Sequence, residues 1–334
     1  MIINKTPLRL SLSGGGSDLP IYFNSIKSNV LNFAINLYIT TIIKKNKKKG
    51  VIFNSLDLKK KRKLSNIKSK KDNYYLAAKI YNFVCNKYNK KLENNIDITT
   101  FSDAPVGSGL GGSSSITVSL YLSLCEYFKI RVSKKTVAED SYFIERKICN
   151  IRGGIQDYYP AVYGGLLHLI FYKKQKKINN LKIKDDLKLF FDTSSLVFFS
   201  GSSRVSDVVI SDQMKNFQKN QRYFSKISKN TAKFIKLIQN GDFNKTVKLI
   251  NEGNELKKKT SKMIETKIIK DIIKKLSNYI NAYRISGAGG GGFILLFFNP
   301  EKKSKIINIL NKNKLSFYNV SILERGSYTS KINI

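Results

Sequence analysis

Three glycine-rich segments and a few charged side chains carry the chemistry open to this chain. The segments are Gly14-Gly15-Gly16-Ser17-Asp18, Gly107-Ser108-Gly109-Leu110-Gly111-Gly112 with Ser113-Ser114-Ser115 behind it, and Gly287-Ala288-Gly289-Gly290-Gly291-Gly292. Each sits at the end of an apolar, strand-like run. A glycine-rich turn lets backbone N–H groups approach a phosphate, and a helix start behind it adds about half a positive charge. Serines at that start can bind phosphate oxygen or Mg2+. The plainer alternative is a glycine turn with serine caps. The second and third segments both match GxGxxG. A dinucleotide fold also expects an acid at the end of the next strand, about 20 residues on. Here Val132-Ser133 lies in a turn between helices, so that reading fails. A Walker loop needs Gly-Lys-Ser/Thr, which is absent.

Glu145 and Asp157 stand 12 residues apart, on either side of Gly153-Gly154. A turn there can bring both carboxylates to one site. A carboxylate with oxygen co-ligands suits Mg2+; the plainer role for Glu145 is an ion pair with Arg146 or Lys147. Asp157 is otherwise an acid at a helix start. Arg9 ends an apolar strand and can neutralise a transition state or assist Asp157; its alternative is a solvated strand-end charge. Asp18, a short carboxylate after three glycines, suits a pair of ligand hydroxyls, or else an Asx turn. The lone histidine, His168, lies in Leu166-Leu167-His168-Leu169-Ile170 and reads as a half-buried strand residue, not a triad member. With it as the sole histidine, a zinc site is nearly excluded.

These groups need elements to hold them. Residues 7–12 read as a strand, and residues 30–43 and 51–53 as paired strands. Helical spacing covers 73–90. A strand over 96–101 leads into the second glycine segment and a helix over about 113–128. Ser133 caps a helix ending near Cys149. Strands are expected at 166–172, near 188–191 and at 196–200, then long helices over 205–281. A strand at 293–298, a helix from Pro300 to about 312 and a strand at 317–323 close the chain. Without regular βαβ alternation, the fold class is α+β. The Lys/Asn-rich turn sequence at 173–187 marks a domain boundary, giving 1–185 and 186–334.

Composition narrows the class further. The chain has 334 residues, 42% of them hydrophobic, and a formal net charge of +37. Nine of the 60 Lys+Arg residues are arginine. A selected phosphate-reading surface uses more arginine, so the charge reads as lysine-rich composition drift. Residues 44–71 hold 13 Lys/Arg against one acid, Asp57. They read as a solvated hairpin and loop, with a basic RNA-binding protein as the contrasting class. No signal peptide or apolar run of about 18 residues is seen, and three scattered cysteines fit a reduced cytoplasm.

Taken together, the motifs resemble those of the GHMP kinases. Pro7-Leu8-Arg9 with Gly14-Gly15-Gly16-Ser17-Asp18 resembles their first motif. Pro105-x-x-x-Gly109-Leu110-Gly111-Gly112-Ser113-Ser114 resembles the second, and Ser286-Gly287 to Phe293 the third. Within the family, Thr-Pro-Leu-Arg, Gly-Gly-Gly-Ser-Asp, Gly-Gly-Ile-Gln-Asp and Gly-Ser-Ser-Arg are most similar to the bacterial branch acting on D-glycero-D-manno-heptose 7-phosphate. The resemblance implies a two-domain α+β GHMP kinase fold with a ferredoxin-like C-terminal domain. It implies ATP-dependent phosphorylation of the anomeric hydroxyl to a 1,7-bisphosphate, or another sugar 1-kinase activity of the family. ATP is expected along Pro105, Gly107, Ser108, Gly109, Leu110, Gly111, Gly112, Ser113 and Ser114. Mg2+ is expected on Ser113 and Glu145. Asp157 is the expected proton acceptor, with Arg9. Substrate is expected at Gly16, Ser17, Asp18, Gly289, Gly290 and Arg204, with Arg204 on the sugar's own phosphate and Lys257 or Arg284 as alternatives. The partners expected are ATP and a sugar phosphate, with no membrane or specific nucleic acid; homo-oligomer assembly is left open. One departure from the family pattern is Gly112 in place of the first serine of a Ser-Ser pair. Another is a short stretch, Asn281-Ala282-Tyr283-Arg284, before the third motif.

Overall fold

The computed structural model describes residues 1–47, 50–92, 95–201 and 206–332. Its first sheet is built from β1 (Ile2–Ser13), β2 (Ser28–Lys45), β3 (Val51–Ser55), β4 (Lys60–Lys63), β5 (Ile96–Ser102), β6 (Leu166–Tyr172), β7 (Gln175–Leu181) and β12 (Tyr328–Lys331). The order is β12-β1-β2-β5-β3-β4, with β6 and β7 continuing from the other half of the long β2. The second sheet holds β8 (Ser195–Phe199), β9 (Ala282–Ile285), β10 (Phe293–Phe297) and β11 (Phe317–Tyr318) in the order β11-β8-β10-β9. That order, with helices after β8 and β10, is the ferredoxin-like arrangement.

The helices follow the glycine and polar punctuation. After the short α1 (Pro20–Phe23), α2 (Tyr75–Lys87), α3 (Gly112–Tyr127), α4 (Lys134–Phe143) and α5 (Tyr158–Tyr163) pack against the first sheet. Ser133 caps α4, its hydroxyl accepting from the Thr136 amide. Then come α6 (Asp185–Ser194), α7 (Ser206–Lys215), α8 (Phe217–Gln239), α9 (Phe243–Lys258), α10 (Lys267–Leu276) and α11 (Lys303–Lys312).

Side-chain alternation explains the layering. On β1, Leu8, Leu10 and Leu12 enter a core shared with Phe234 and Ile235 of α8 and Leu295 of β10. Arg9 falls between them, on the opposite face, because successive strand residues alternate. On β10, Phe293, Leu295 and Phe297 join that same core, while Ile294 and Leu296 join a third core with Ile269, Ile306 and Leu310. A strand buried on both faces reads as a continuous apolar run, as Phe293–Phe297 does.

Four local expectations are corrected. Strand β3 does not pair with β2; β5 lies between them, and β3 runs parallel to β5. A parallel pair needs a crossover, which α2 supplies. Residues 188–191 are helical, because Leu187 and Phe191, one turn apart, are the buried apolar positions of α6. Residues 175–181, expected as turn, form β7, hydrogen-bonded to β6 along one side. The last strand expected at 317–323 is short, and the chain returns through β12 to pair with β1.

Candidate active site

The second glycine segment turns from β5 into α3, and Gly111 takes a left-handed conformation at the helix start. Its backbone is held by the third segment. The Phe293 amide donates to Ser108 O at 2.8 Å. A β-carbon on Gly292 would stand 2.5 Å from Ser108 O, and one on Gly287 would stand 2.7 Å from Gly109 O. The two glycine runs therefore touch backbone to backbone, which side chains would prevent. At Gly112 nothing lies within 4 Å of a built β-carbon, so the departure from serine there leaves open space.

Arg9 lies under this loop. Its Nε and Nη2 donate to the two carboxylate oxygens of Asp157 at 2.7 and 2.8 Å. Nη1 donates to Gly109 O at 2.7 Å. The guanidinium is thus spent on positioning: it fixes the Asp157 carboxylate and ties it to the glycine loop. The pair is partly sheltered, with side-chain exposures of 4% and 18%. Two-point Arg–carboxylate geometry is among the stronger charged contacts.

Glu145 is reached by a helix that widens. After α4 the chain makes a π-turn over Ile144–Ile148, a device that recurs at functional sites. It delivers Glu145, fully buried, to the start of α3. Ser113 Oγ donates to Glu145 Oε1 at 2.5 Å, and Ser114 Oγ and Tyr158 OH donate to Oε2 at 3.1 and 2.7 Å. Arg146 Nη1 also donates to Oε1, at 2.9 Å. Burial and the Glu145 carboxylate together push the Tyr158 hydroxyl well above its usual range. So Glu145 holds both expected partners, Ser113 and the neighbouring Arg146. A carboxylate beside a serine hydroxyl is the oxygen donor type Mg2+ uses next to substrate phosphates; four donors already fill the Glu145 lone-pair positions, so the ion would have to take the place of the Ser113 or Arg146 donor on Oε1.

Asp18 is drawn into the fold. Its Oδ1 accepts from the Gly16 amide and Gln156 Nε2, both at 3.0 Å, and Oδ2 accepts from the Gln156 amide at 3.2 Å. A carboxylate has about four lone-pair positions, which leaves room on Oδ2 for a hydroxyl. Burial first, and the Asp157 charge second, raise its pKa above 3.8. Gly154 must be glycine here: a β-carbon would stand 1.7 Å from Asp18 Oδ2.

One cavity of about 480 Å3 joins these groups. Arg9, Gly16, Asp18, Pro105, Gly107, Ser108, Gly109, Gly111, Gly112, Ser113, Ser114, Glu145 and Asp157 all line it. One arm is apolar, with Phe53, Tyr74, Leu76, Ile98 and Leu120. Phe53 and Tyr74 stack with ring centres 6.1 Å apart. The lysine-rich stretch thus supplies a cavity wall from its buried side, while the lysines of β4 face solvent.

Other expected residues fall elsewhere. Ser17 is buried and bonds Gly14 O and Ser28 Oγ, both at 2.7 Å, as a strut of the first turn. Leu110 is buried, and its carbonyl accepts from the Arg9 amide. Gly289 and Gly290 pack against Ile264, away from the cavity wall. Arg204 lies outside the described residues. His168 is half-buried on β6 with Asn29 Oδ1 at 3.0 Å from Nε2. Sequence reasoning leaves Gln156, Gln213 and Arg152 unassigned, although all three line the cavity. The Gly-Gly-Ile-Gln-Asp run is the available signal for Gln156.

Comparison with known proteins identifies the family. The model described as GHMP kinases N terminal domain matches residues 75–165, and the one described as GHMP kinases C terminal matches residues 234–315. D-glycero-alpha-D-manno-heptose 7-phosphate kinase from Campylobacter jejuni is 29% identical, over 97% of both chains. Mevalonate kinase from Methanocaldococcus jannaschii is 24% identical, over 88% of this chain and 92% of the other. The crystal structure of a D-glycero-D-manno-heptose 1-phosphate kinase from Bacteroides thetaiotaomicron covers all of both chains, with a TM-score of 0.84 and 25% identity. The three glycine motifs, the paired sheets that bring them together and both matching domain models place this chain among the GHMP kinases, as a phosphotransferase.

Proposed function

We propose that this protein transfers the γ-phosphoryl group of ATP to the anomeric hydroxyl of D-glycero-D-manno-heptose 7-phosphate, giving the 1,7-bisphosphate. The observation that carries the reading is the Arg9–Asp157 pair, set in one cavity between the phosphate-type loop and Asp18. Similarity to a heptose 7-phosphate kinase along nearly the whole chain supports the choice of sugar. The three cysteines are buried and unpaired, which supports a reducing, cytoplasmic setting.

In this reading the adenine base takes the apolar arm beside Phe53 and Tyr74. The triphosphate lies on the amides from Gly107 to Ser114, at the positive end of α3. Phosphoryl transfer is mainly positioning and charge stabilisation. Glu145 and Ser113 would hold Mg2+, which supplies neutralisation of the phosphate charge when bound. Asp157 accepts the proton from the attacking hydroxyl. Arg9 keeps that carboxylate aimed and tied to the loop. Asp18, Gly16 and Gln156 orient the sugar hydroxyls. Residues 1–185 and 186–334 are the proposed two domains, with β12 of the second returning to the sheet of the first.

A panel of sugars and sugar phosphates, read by ATP consumption, tests this. Turnover is expected with D-glycero-D-manno-heptose 7-phosphate. Turnover confined to galactose or mevalonate, or to none of the panel, would overturn the substrate assignment.

A further inference from the structure

Two enclosed cations remain unused. Lys257 is the next-to-last residue of α9, and Arg284 lies on β9; they are 3% and 1% exposed. Neither forms an ion pair among the described residues. Lys257 Nζ donates to Ile285 O and Gly287 O, both at 2.7 Å, and the side chain lines the cavity. An ammonium has three donors, so one N–H is left for whatever the cavity holds. Arg284 Nε and Nη1 have no partner, and neither does Ser286 Oγ or Asn254 Nδ2 close by. Arg284 Nη2 lies 3.9 Å from where a Gly15 β-carbon would stand, and Gly15 lines the same cavity. Only a side-chain-free turn separates the guanidinium from the cavity.

The charges facing Lys257 are Arg284 from β9, Arg9 from β1 and Asp18 from the first glycine turn. Burial, then the two guanidinium groups, push the ammonium well below its usual range, and Asp18 opposes them. Burial alone pulls Arg284 down to about 10. Asp18 cannot neutralise both, since one carboxylate carries a single charge against the two cations. Two enclosed cations with unmade hydrogen bonds are costly to keep, and an anion entering beside them removes that cost.

We propose that Lys257 and Arg284 form an anion site for a phosphoryl group carried into the cavity by a ligand, with Lys257 in contact and Arg284 supplying positive potential from behind Gly15. The ligand chemistry rests on the kinase reading. Two sources supply it: the terminal phosphoryl of ATP and the phosphate already on the sugar.

Titration calorimetry on wild type, Lys257→Met and Arg284→Met separates the sources. The probes are ADP, the non-hydrolysable ATP analogue AMP-PNP, heptose 7-phosphate and the free heptose. A charged hydrogen bond is worth about 1.5–3 kcal/mol, or about 10–100-fold in affinity. Lys257→Met is expected to weaken AMP-PNP by that factor with ADP unchanged, or heptose 7-phosphate with free heptose unchanged. Arg284→Met, which leaves both Lys257 hydrogen bonds in place, is expected to weaken the same probe to a smaller degree. Equal losses within each pair, or no loss, would overturn the site, because a loosened loop weakens ADP as much as AMP-PNP. If heptose 7-phosphate is not a substrate, wild type shows no turnover with it, and the AMP-PNP against ADP comparison still decides the site.

Discussion

Arg9 and Asp157, 148 residues apart, meet through two hydrogen bonds at 2.7 and 2.8 Å, and a third ties Arg9 to Gly109 O. Asp157, the proposed proton acceptor, and the glycine loop are therefore held together through Arg9. Asp157→Asn keeps the shape and removes the acceptor. It is expected to lower kcat by ~10²–10⁴ while Mg·ATP binding changes little. Single-turnover rates and nucleotide titration check it; near-wild-type kcat would take Asp157 out of the chemistry.

Ser113→Ala removes one donor to Glu145 and one hydroxyl from the proposed metal position. The Mg2+ concentration for half-maximal rate is expected to rise several-fold, with the sugar KM moving less. Glu145→Gln is expected to do the same and also to lower the Tm, since Arg146 is then enclosed without its carboxylate partner. Breaking a buried pair costs about 3–5 kcal/mol. Unchanged Mg2+ dependence in both variants would place the metal elsewhere.

The glycines differ in what they tolerate. Gly292→Ala drives a methyl group to 2.5 Å from Ser108 O at a φ of +81°, so both loops must shift. A loss of about 1–3 kcal/mol in stability is expected, with weaker ATP binding. A β-carbon on Gly112 meets nothing within 4 Å, and Gly112→Ser is expected to leave both near wild type. Thermal melts with and without ATP measure the contrast, and equal damage from both substitutions would contradict the packing described.

Asp18 sets a pH signature. Its carboxyl pKa is raised above 3.8 by burial. Folding therefore penalises the ionised form: the penalty is absent below 3.8 and grows as pH rises through the folded-state value. The Tm of wild type minus that of Asp18→Asn is expected to fall as pH climbs through that window, then level off. A flat difference from pH 3 to 8 would remove the buried carboxyl as its source.

Much of this site is legible in the amino-acid sequence by itself, and the reason is local. Glycine runs mark turns wherever they occur, so all three loops can be read from residue types. Alternation in Leu8-Arg9-Leu10 already puts Arg9 on the face opposite the leucines. Gly153-Gly154 between Glu145 and Asp157 announces a turn able to bring two carboxylates together. Other features depend on partners far away in the chain. The insertion of β5 between β2 and β3 is a choice among strands with similar apolar patterns, and only packing decides it. Phe190-Phe191 suits a strand or a helix until neighbours select the buried face. Strand β7 carries few apolar residues because its side chains are largely solvated, so no pattern marks it. Gly289 and Gly290 look the same in sequence as Gly287 and Gly292, yet one pair meets Ile264 and the other the second glycine loop. From the sequence Lys257 is only an alternative phosphate handle, and nothing local among the 51 lysines shows that it is enclosed. Its enclosure beside Arg284 exists only once α9 closes on β9, because burial is a property of the assembled fold and not of the residue.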